Sequence, residues 1–406
     1  MTASIYMHVP FCAGFCDYCD FYSEALEEND PRPLRYVERA LFDAEILFGK
    51  YRIERVPTVY IGGGTPSVLG AGGITRLLKG IGSLLPEKPG EFTVEVNPES
   101  ADEAFLAACG ENGVSRVSAG IQSFHEISRR AVHRGGSGAL LPKRLALIAR
   151  CFPGSFSADL LSGLPFQDEA ALLRDIETTL SFNPAHVSLY ALTVEEGTAL
   201  AERVRGRPRH GGDGLPAGEE ADGLWLSGRE ALERAGYAQY EVSNFSLPGE
   251  ESRHNIRYWR MENWLALGPG ASGTLIDDRT GTGRRYTVKP DVGAWLERRV
   301  RDNDAGTAAG TCTAGPPVTE ESLDRLTLIK ETLLMGFRFT GGPDGALFRK
   351  RFGREIGQVI PRTIAAWRDR GLFQGDRTAL TREGLLFLNP FLIDAFLEME
   401  TCDTLT

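Results

Sequence analysis

The sequence predicts an α/β protein built on parallel strands. Short β-rich runs and helix-patterned stretches alternate six times between Ser4 and about Leu192, and chemistry-bearing residues recur at the ends of those runs. With 406 residues, 42% hydrophobic and 25% charged, the chain can bury a large core and has room for a main domain plus smaller ones.

The expected strands are Ile5–Val9, Thr58–Ile61, Phe92–Val96, Arg116–Ala119, Ser155–Leu160 and His186–Leu192. Between the first two, Leu34, Val37, Leu41 and Phe48 are spaced to share one face of a helix. Ser100 followed by Glu103 reads as a capping box that opens the third helix. Repeated strand–helix–strand units imply right-handed crossovers, in a doubly wound sheet or in a barrel-like arrangement; the pattern leaves both open. Either architecture gathers ligands at the C-terminal ends of the strands, where Cys12, the Gly62–Thr65 run, Glu95, Gln122 and Asp159 fall.

Further along, Gly211–Gly223 reads as an exposed loop before a helical pattern over Leu224–Gly236. The expected organisation is a core over 1–236, an aromatic and Gly-rich extension over 237–305, a linker over 306–318 and a C-terminal module over 319–406. In that module Glu320–Phe339 and Gly357–Arg370 carry helical patterns, and short apolar runs around Leu372 and Leu380 read as a hairpin. Together they predict a small winged-helix-like α+β unit.

A net charge of -10 and a pI near 5.3 disfavour a broad nucleic-acid or anionic-lipid surface. Met1-Thr2-Ala3-Ser4 leads directly into the first strand without a signal-peptide pattern, and no apolar run reaches the roughly 18 residues of a membrane span. The expectation is a cytoplasmic protein without an integral membrane segment. Seven cysteines in such a chain argue against a disulfide framework. Cys109 and Cys151 sit in apolar helical patterns and read as small buried hydrophobes, while Cys312 and Cys402 stand alone.

The remaining cysteines, Cys12, Cys16 and Cys19, have the spacing C-x3-C-x2-C within Tyr6–Phe21. Three thiolates on a short loop suit an iron–sulfur cubane and leave one iron uncovered. A closed zinc site is the alternative; it needs a fourth ligand, for which His8 is the nearest candidate. The spacing and its flanks resemble the radical SAM superfamily, in particular the coproporphyrinogen oxidase-like branch and its heme chaperone members of HemW type. The resemblance implies a partial (β/α)6 barrel with a HemN-like C-terminal module. It also implies a 4Fe-4S cluster whose open iron chelates the methionine moiety of S-adenosylmethionine, and a one-electron reduction that yields methionine and a deoxyadenosyl radical.

On the same resemblance, Tyr6 and Tyr18 belong to the cofactor site, with Tyr18 near the adenine. Gly63, Gly64 and Thr65 lie in Gly62-Gly63-Gly64-Thr65-Pro66, where the absence of side chains lets backbone approach a ligand. Glu95 sits in an apolar strand, where a carboxylate needs a partner such as a sugar hydroxyl, an ammonium or a buried salt bridge. Gln122 and Asp159 match polar cofactor contacts, and Arg134 matches a position suited to a carboxylate. Three departures touch loop geometry: Gly135 and Gly136 follow Arg134 while His133 precedes it, Phe166 stands in Gly163-Leu164-Pro165-Phe166-Gln167, and Ser272 ends Gly268-Pro269-Gly270-Ala271-Ser272.

Phe21 stands where the oxidases of this branch carry a fourth cysteine, and only five residues precede Tyr6. His254-Asn255-Ile256-Arg257-Tyr258-Trp259 matches the chaperones' His-Asn-x-x-Tyr-Trp motif. This makes His254 the expected axial heme ligand, with Tyr258 and Trp259 as stacking surface. The expected function is heme binding and transfer to an acceptor hemoprotein, with an electron donor for the cluster and a homodimer left open. The enzyme alternatives are an oxygen-independent coproporphyrinogen III oxidase, a coproporphyrinogen dehydrogenase-like oxidoreductase, and an orphan radical SAM enzyme.

Overall fold

A computed structural model describes residues 1–205, 213–216, 218–298 and 316–400. The expected linker over 306–318 lies outside the described residues as far as 315, as do Cys312, Cys402 and part of the Gly211–Gly223 loop.

Six parallel strands run β1 (Ser4–Val9), β2 (Thr58–Gly63), β3 (Glu91–Val96), β4 (Arg116–Gln122), β5 (Phe156–Ser162) and β6 (His186–Ala191). They are β1 to β6 in space as well as in sequence. A doubly wound sheet must reverse its strand order, so this one-way winding decides for the barrel-like alternative. Beyond β6 the sheet continues with β7 (Ala238–Gln239) and β8 (Asn244–Ser246), β8 lying next to β6. Beyond β1 it continues through β9 (Trp264–Leu267), β10 (Ser272–Asp277), β11 (Thr282–Val288) and β12 (Val318–Leu323).

The period of two along the central strands sorts the side chains. Phe92, Val94, Val117, Ala119, Phe156, Ala158, Val187 and Leu189 are buried in the main apolar core with the crossover helices. The alternate residues Thr93, Glu95, Arg116, Ser118, Ser157, Asp159, His186 and Ser188 line a cavity on the other face. An apolar convex face and a polar concave face leave the interior open to a polar ligand.

Several local expectations are corrected. In the helix Arg32–Tyr51 the buried stripe is Tyr36, Val37, Ala40, Ala44 and Leu47, whereas Leu34 is exposed. The helix Glu103–Glu111 is capped by Asp102, whose carboxylate accepts from the Phe105 amide at 2.7 Å; Ser100 instead bonds Ser67 at 2.6 Å. The helix expected from Leu224 starts at Gly218. Glu320–Leu323 are strand, and the helix after them is Arg325–Gly336. It packs with Gly345–Phe352, Pro361–Asp369 and Leu388–Glu400 into a second apolar cluster around Phe337, Trp367 and Phe391. The expected hairpin there is a single antiparallel bridge, Phe373 to Leu380. Among the described residues no helix is long and apolar enough to cross a membrane.

Candidate functional site

The concave face encloses a cavity of about 760 Å³, open at the C-terminal ends of the strands. Cys12, Cys16, Cys19, Tyr18, Gly63, Gly64, Thr65, Glu95, Gln122, Arg134 and Asp159 all line it. Tyr6 does not; it lies on β1 beside Tyr60, with its hydroxyl 3.0 Å from His8 Nδ1.

The cysteine loop is held from both sides. The Gly64 and Thr65 amides donate to the Val9 and Phe11 carbonyls at 2.8 and 2.7 Å, locking the glycine run to the segment that carries Cys12. A Cβ on Gly64 would lie 2.5 Å from the Phe11 oxygen, so only glycine lets these segments close. Cys12 Sγ is 3.4 Å from Thr65 Oγ1, and Arg134 Nη1 donates to Cys16 Sγ at 3.6 Å. Among the described residues no three His, Cys, Asp or Glu side chains converge as a metal-holding group. The three thiols share the cavity wall as separate donors. His8, the candidate fourth zinc ligand, has Nε2 bonded to the Tyr22 carbonyl at 2.7 Å and Nδ1 bonded to Tyr6.

Two carboxylates sit deeper. Glu95 accepts from the Tyr60 hydroxyl at 2.6 Å and the Gly63 amide at 3.1 Å, so its partners among the described residues are a hydroxyl and an amide and not a cation. Burial pushes its pKa up to about 7, those two bonds offset part of the rise, and the nearby Asp159 adds to it. Asp159 lies mid-strand, below the rim, and accepts from Ser118 at 3.2 Å. Burial moves it up to about 6 against the pull of Ser188, Ser118 and Arg134. Gln122 stands at a register shift with φ of 66°, an uncommon left-handed position for a residue other than glycine. Its Oε1 and the Arg134 Nε are buried without a protein partner, and both residues line the cavity. Unpaired acceptor and donor atoms of this kind suit a polar ligand.

The opposite end is closed by the helix Arg253–Trp259. Glu91, at the start of β3, accepts the amides of Arg253 and His254 at 3.1 and 2.9 Å and pairs with Arg116 at 3.3 Å. His254 is 1% exposed; its Nδ1 is 2.8 Å from Thr58 Oγ1, its Nε2 is 2.9 Å from the Tyr258 hydroxyl, and its ring stacks on Tyr60. Both nitrogens are therefore occupied, and burial holds its pKa down to about 3. Tyr258 packs edge-on against His254 and Trp264, and Trp259 lies beneath the Arg338 guanidinium. In this structure the motif's imidazole has both nitrogens hydrogen-bonded, to Thr58 and Tyr258, and helps close the barrel.

The sequence reading passed over Tyr60, Arg116, Ser118, His186, Ser188 and Tyr190, which also line the cavity. Their signal was present as polar residues at every second position of otherwise apolar strands.

The model of the radical SAM superfamily matches residues 6–178. A protein from Bos taurus named radical S-adenosyl methionine domain-containing protein 1, mitochondrial, is 35% identical over 342 residues, which is 83% of this chain and 73% of that protein. The chain belongs to the radical SAM superfamily. A Lactococcus lactis protein named heme chaperone HemW is 31% identical over 92% of this chain and 91% of its own length. The crystal structure of coproporphyrinogen III oxidase (HemN) from Escherichia coli shares the fold, with a TM-score of 0.77 over 97% of this chain and 90% of that one, at 18% identity. This is a radical SAM protein related to proteins named HemW, and it shares its fold with HemN. The superfamily's generic cofactors are a 4Fe-4S cluster and S-adenosylmethionine. Three thiols on one wall, a glycine cradle and unpaired polar atoms facing the same space fit that pair.

Proposed function

We propose that this radical SAM protein is a cytoplasmic heme chaperone that binds heme and passes it to acceptor hemoproteins. The observation that carries the reading is the 31% identity, over nine-tenths of both chains, to a protein named as a heme chaperone. Phe21 at the position of the oxidases' extra cysteine, and the motif His254–Trp259, add to it.

In this reading Cys12, Cys16 and Cys19 ligate the cluster, and an external donor reduces it. Cluster and cofactor, when bound, supply one-electron reducing power at a sulfonium centre. The chain's own residues orient the cofactor. Glu95 and Asp159 accept hydrogen bonds from hydroxyl or ammonium groups, Arg134 offers its free Nε to a carboxylate, and Gln122 Oε1 takes a donor. The Gly63–Gly64 backbone allows close approach, and Tyr18 flanks the adenine.

The test is anaerobic. Reconstituted protein is loaded with heme and mixed with an apo-hemoprotein, and in parallel given coproporphyrinogen, reductant and S-adenosylmethionine. Heme transfer without porphyrinogen turnover is expected. Sustained release of carbon dioxide and protoporphyrinogen with no heme uptake would reverse the conclusion in favour of the oxidase.

A further inference from the structure

We infer that the closed end of the cavity is a subsite for the carboxylate of a small organic ligand, held by Thr93, Arg116, Ser157 and His186 and set apart from the cofactor residues at the rim. All four side chains line the cavity. Thr93 pairs with Arg116 across β3 and β4, and Ser157 pairs with His186 across β5 and β6. Thr93 and Ser157 each lie two residues before Glu95 and Asp159 on their strands, about 7 Å deeper. Arg116 opens β4 and Gln122 ends it, roughly 20 Å of strand away. The two ends of the cavity thus offer separate sets of polar atoms.

Two of the four groups are buried without a partner. Thr93 is 1% and His186 2% exposed, and neither Thr93 Oγ1 nor His186 Nδ1 bonds any protein atom. The tautomer of His186 follows from its other nitrogen. The Tyr240 hydroxyl accepts the Ser252 amide at 3.3 Å and lies 2.8 Å from His186 Nε2. If the phenol donates to Nε2, only Nδ1 is left unpaired, whereas the reverse leaves both the phenolic proton and Nδ1 unpaired and costs more. Burial, with the Arg116 charge behind it, holds the imidazole neutral, its pKa down to about 3. Nδ1 therefore carries the single ring proton and offers it to the cavity.

Donors and acceptors are layered along the barrel. Arg116 Nε donates to Glu91 at 3.3 Å and Nη2 donates to the Glu250 carbonyl at 3.0 Å, with the Glu250 carboxylate 3.7 Å away. Glu91 also accepts the amides of Arg253 and His254, so its charge is shared between the guanidinium and that helix. Arg116 Nη1 donates to Ser157 Oγ at 3.3 Å, which leaves the serine its own proton to give. Hydroxyls from Thr93 and Ser157 and the His186 N–H thus converge beside a guanidinium, while Glu95 and Asp159 stand one layer above. A carboxylate accepts and never donates, so it matches the lower layer, and the acids above it turn it away from the rim. An ammonium meets the opposite arrangement.

The experiment fills the cofactor site first. The full chain, with its cluster reconstituted anaerobically and S-adenosylmethionine in excess, is titrated with propionate and with its neutral isostere propionamide. Calorimetry reads affinity, and the ring N–H resonance of His186, identified by its loss in His186→Phe, reads the place. Propionate should saturate, shift that resonance and bind about tenfold or more tightly than propionamide. Thr93→Val keeps the shape and removes the hydroxyl, and it should weaken propionate about tenfold, as should His186→Phe. The valine variant answers alone if the histidine variant folds poorly. Equal affinity for the two probes, no propionate binding, or unchanged affinity in Thr93→Val would overturn the inference. So would an equal loss of S-adenosylmethionine affinity in these variants, which would make the closed end part of the cofactor site. No heme enters the test, so its outcome leaves the chaperone reading untouched.

Discussion

His254 Nδ1 lies 2.8 Å from the Thr58 hydroxyl, across 196 residues of chain, and this contact joins the helix that closes the barrel to the first residue of β2. The imidazole also holds the Tyr258 hydroxyl. Removing it leaves the buried Tyr258 hydroxyl without this partner and Thr58 with its bond to Ser4 alone, so His254→Ala should cost about 1–3 kcal/mol, read as a lower urea midpoint at unchanged slope. An unchanged midpoint would contradict the structural weight given to this contact.

Acid should act on the same contact. Burial lowers His254 from 6.5 to about 3, so the folded chain keeps the ring neutral where the unfolded chain protonates it. Stability from this group is present above pH 6.5 and is lost as pH falls toward 3. His254→Asn should flatten that part of the stability profile; an unchanged slope would contradict the assignment.

Glu95 titrates in the opposite sense. Burial raises it from 4.5 to about 7, so the folded chain retains a proton that the unfolded chain gives up. The contribution is complete below pH 4.5 and disappears as pH rises through 7. Cofactor-free Glu95→Gln should therefore gain on the parent across that range. The gain should be at most about 2 kcal/mol, since the carboxylate faces a cavity that admits water. Parallel melting curves for the two proteins would exclude it.

Cluster content separates the cysteines. The anaerobically prepared parent should hold about four iron and four sulfide per chain, and Cys12→Ala, Cys16→Ala or Cys19→Ala should lose them. Cys109→Ala should keep them, because Cys109 is buried in the apolar core away from the cavity. One zinc per chain without visible charge-transfer absorption would identify a different site.

Gly64→Ala tests the cradle. A methyl there meets the Phe11 oxygen at 2.5 Å and the Val9 oxygen at 2.9 Å, so the segment carrying Cys12 must move. S-adenosylmethionine binding, followed through the cluster's paramagnetic resonance, should fall by about tenfold or more while the fold survives. Gly72→Ala, where nothing lies within 4 Å, should leave binding as it was.

Local chemistry by itself determined much of this protein. The six core strands were legible to within three residues because β-rich runs and turn residues act over short spans. The three thiols sit within eight positions of one another, so their spacing was on the page. The cavity lining was half legible, since Glu95 and Asp159 stand out among apolar neighbours while Arg116 and His186 open their strands and read as ordinary edge residues. What only the tertiary structure decided is where distant segments meet. Strand order chose the barrel-like winding, a matter of pairing that no local run encodes. The motif His254–Trp259 turned inward because Thr58 and Glu91 wait at the closed end for its imidazole and its amides. His133, passed over as a departure from a pattern, turned outward because Asp17 holds its Nδ1. A histidine's role follows from what occupies its two nitrogens, and those partners come from other parts of the chain.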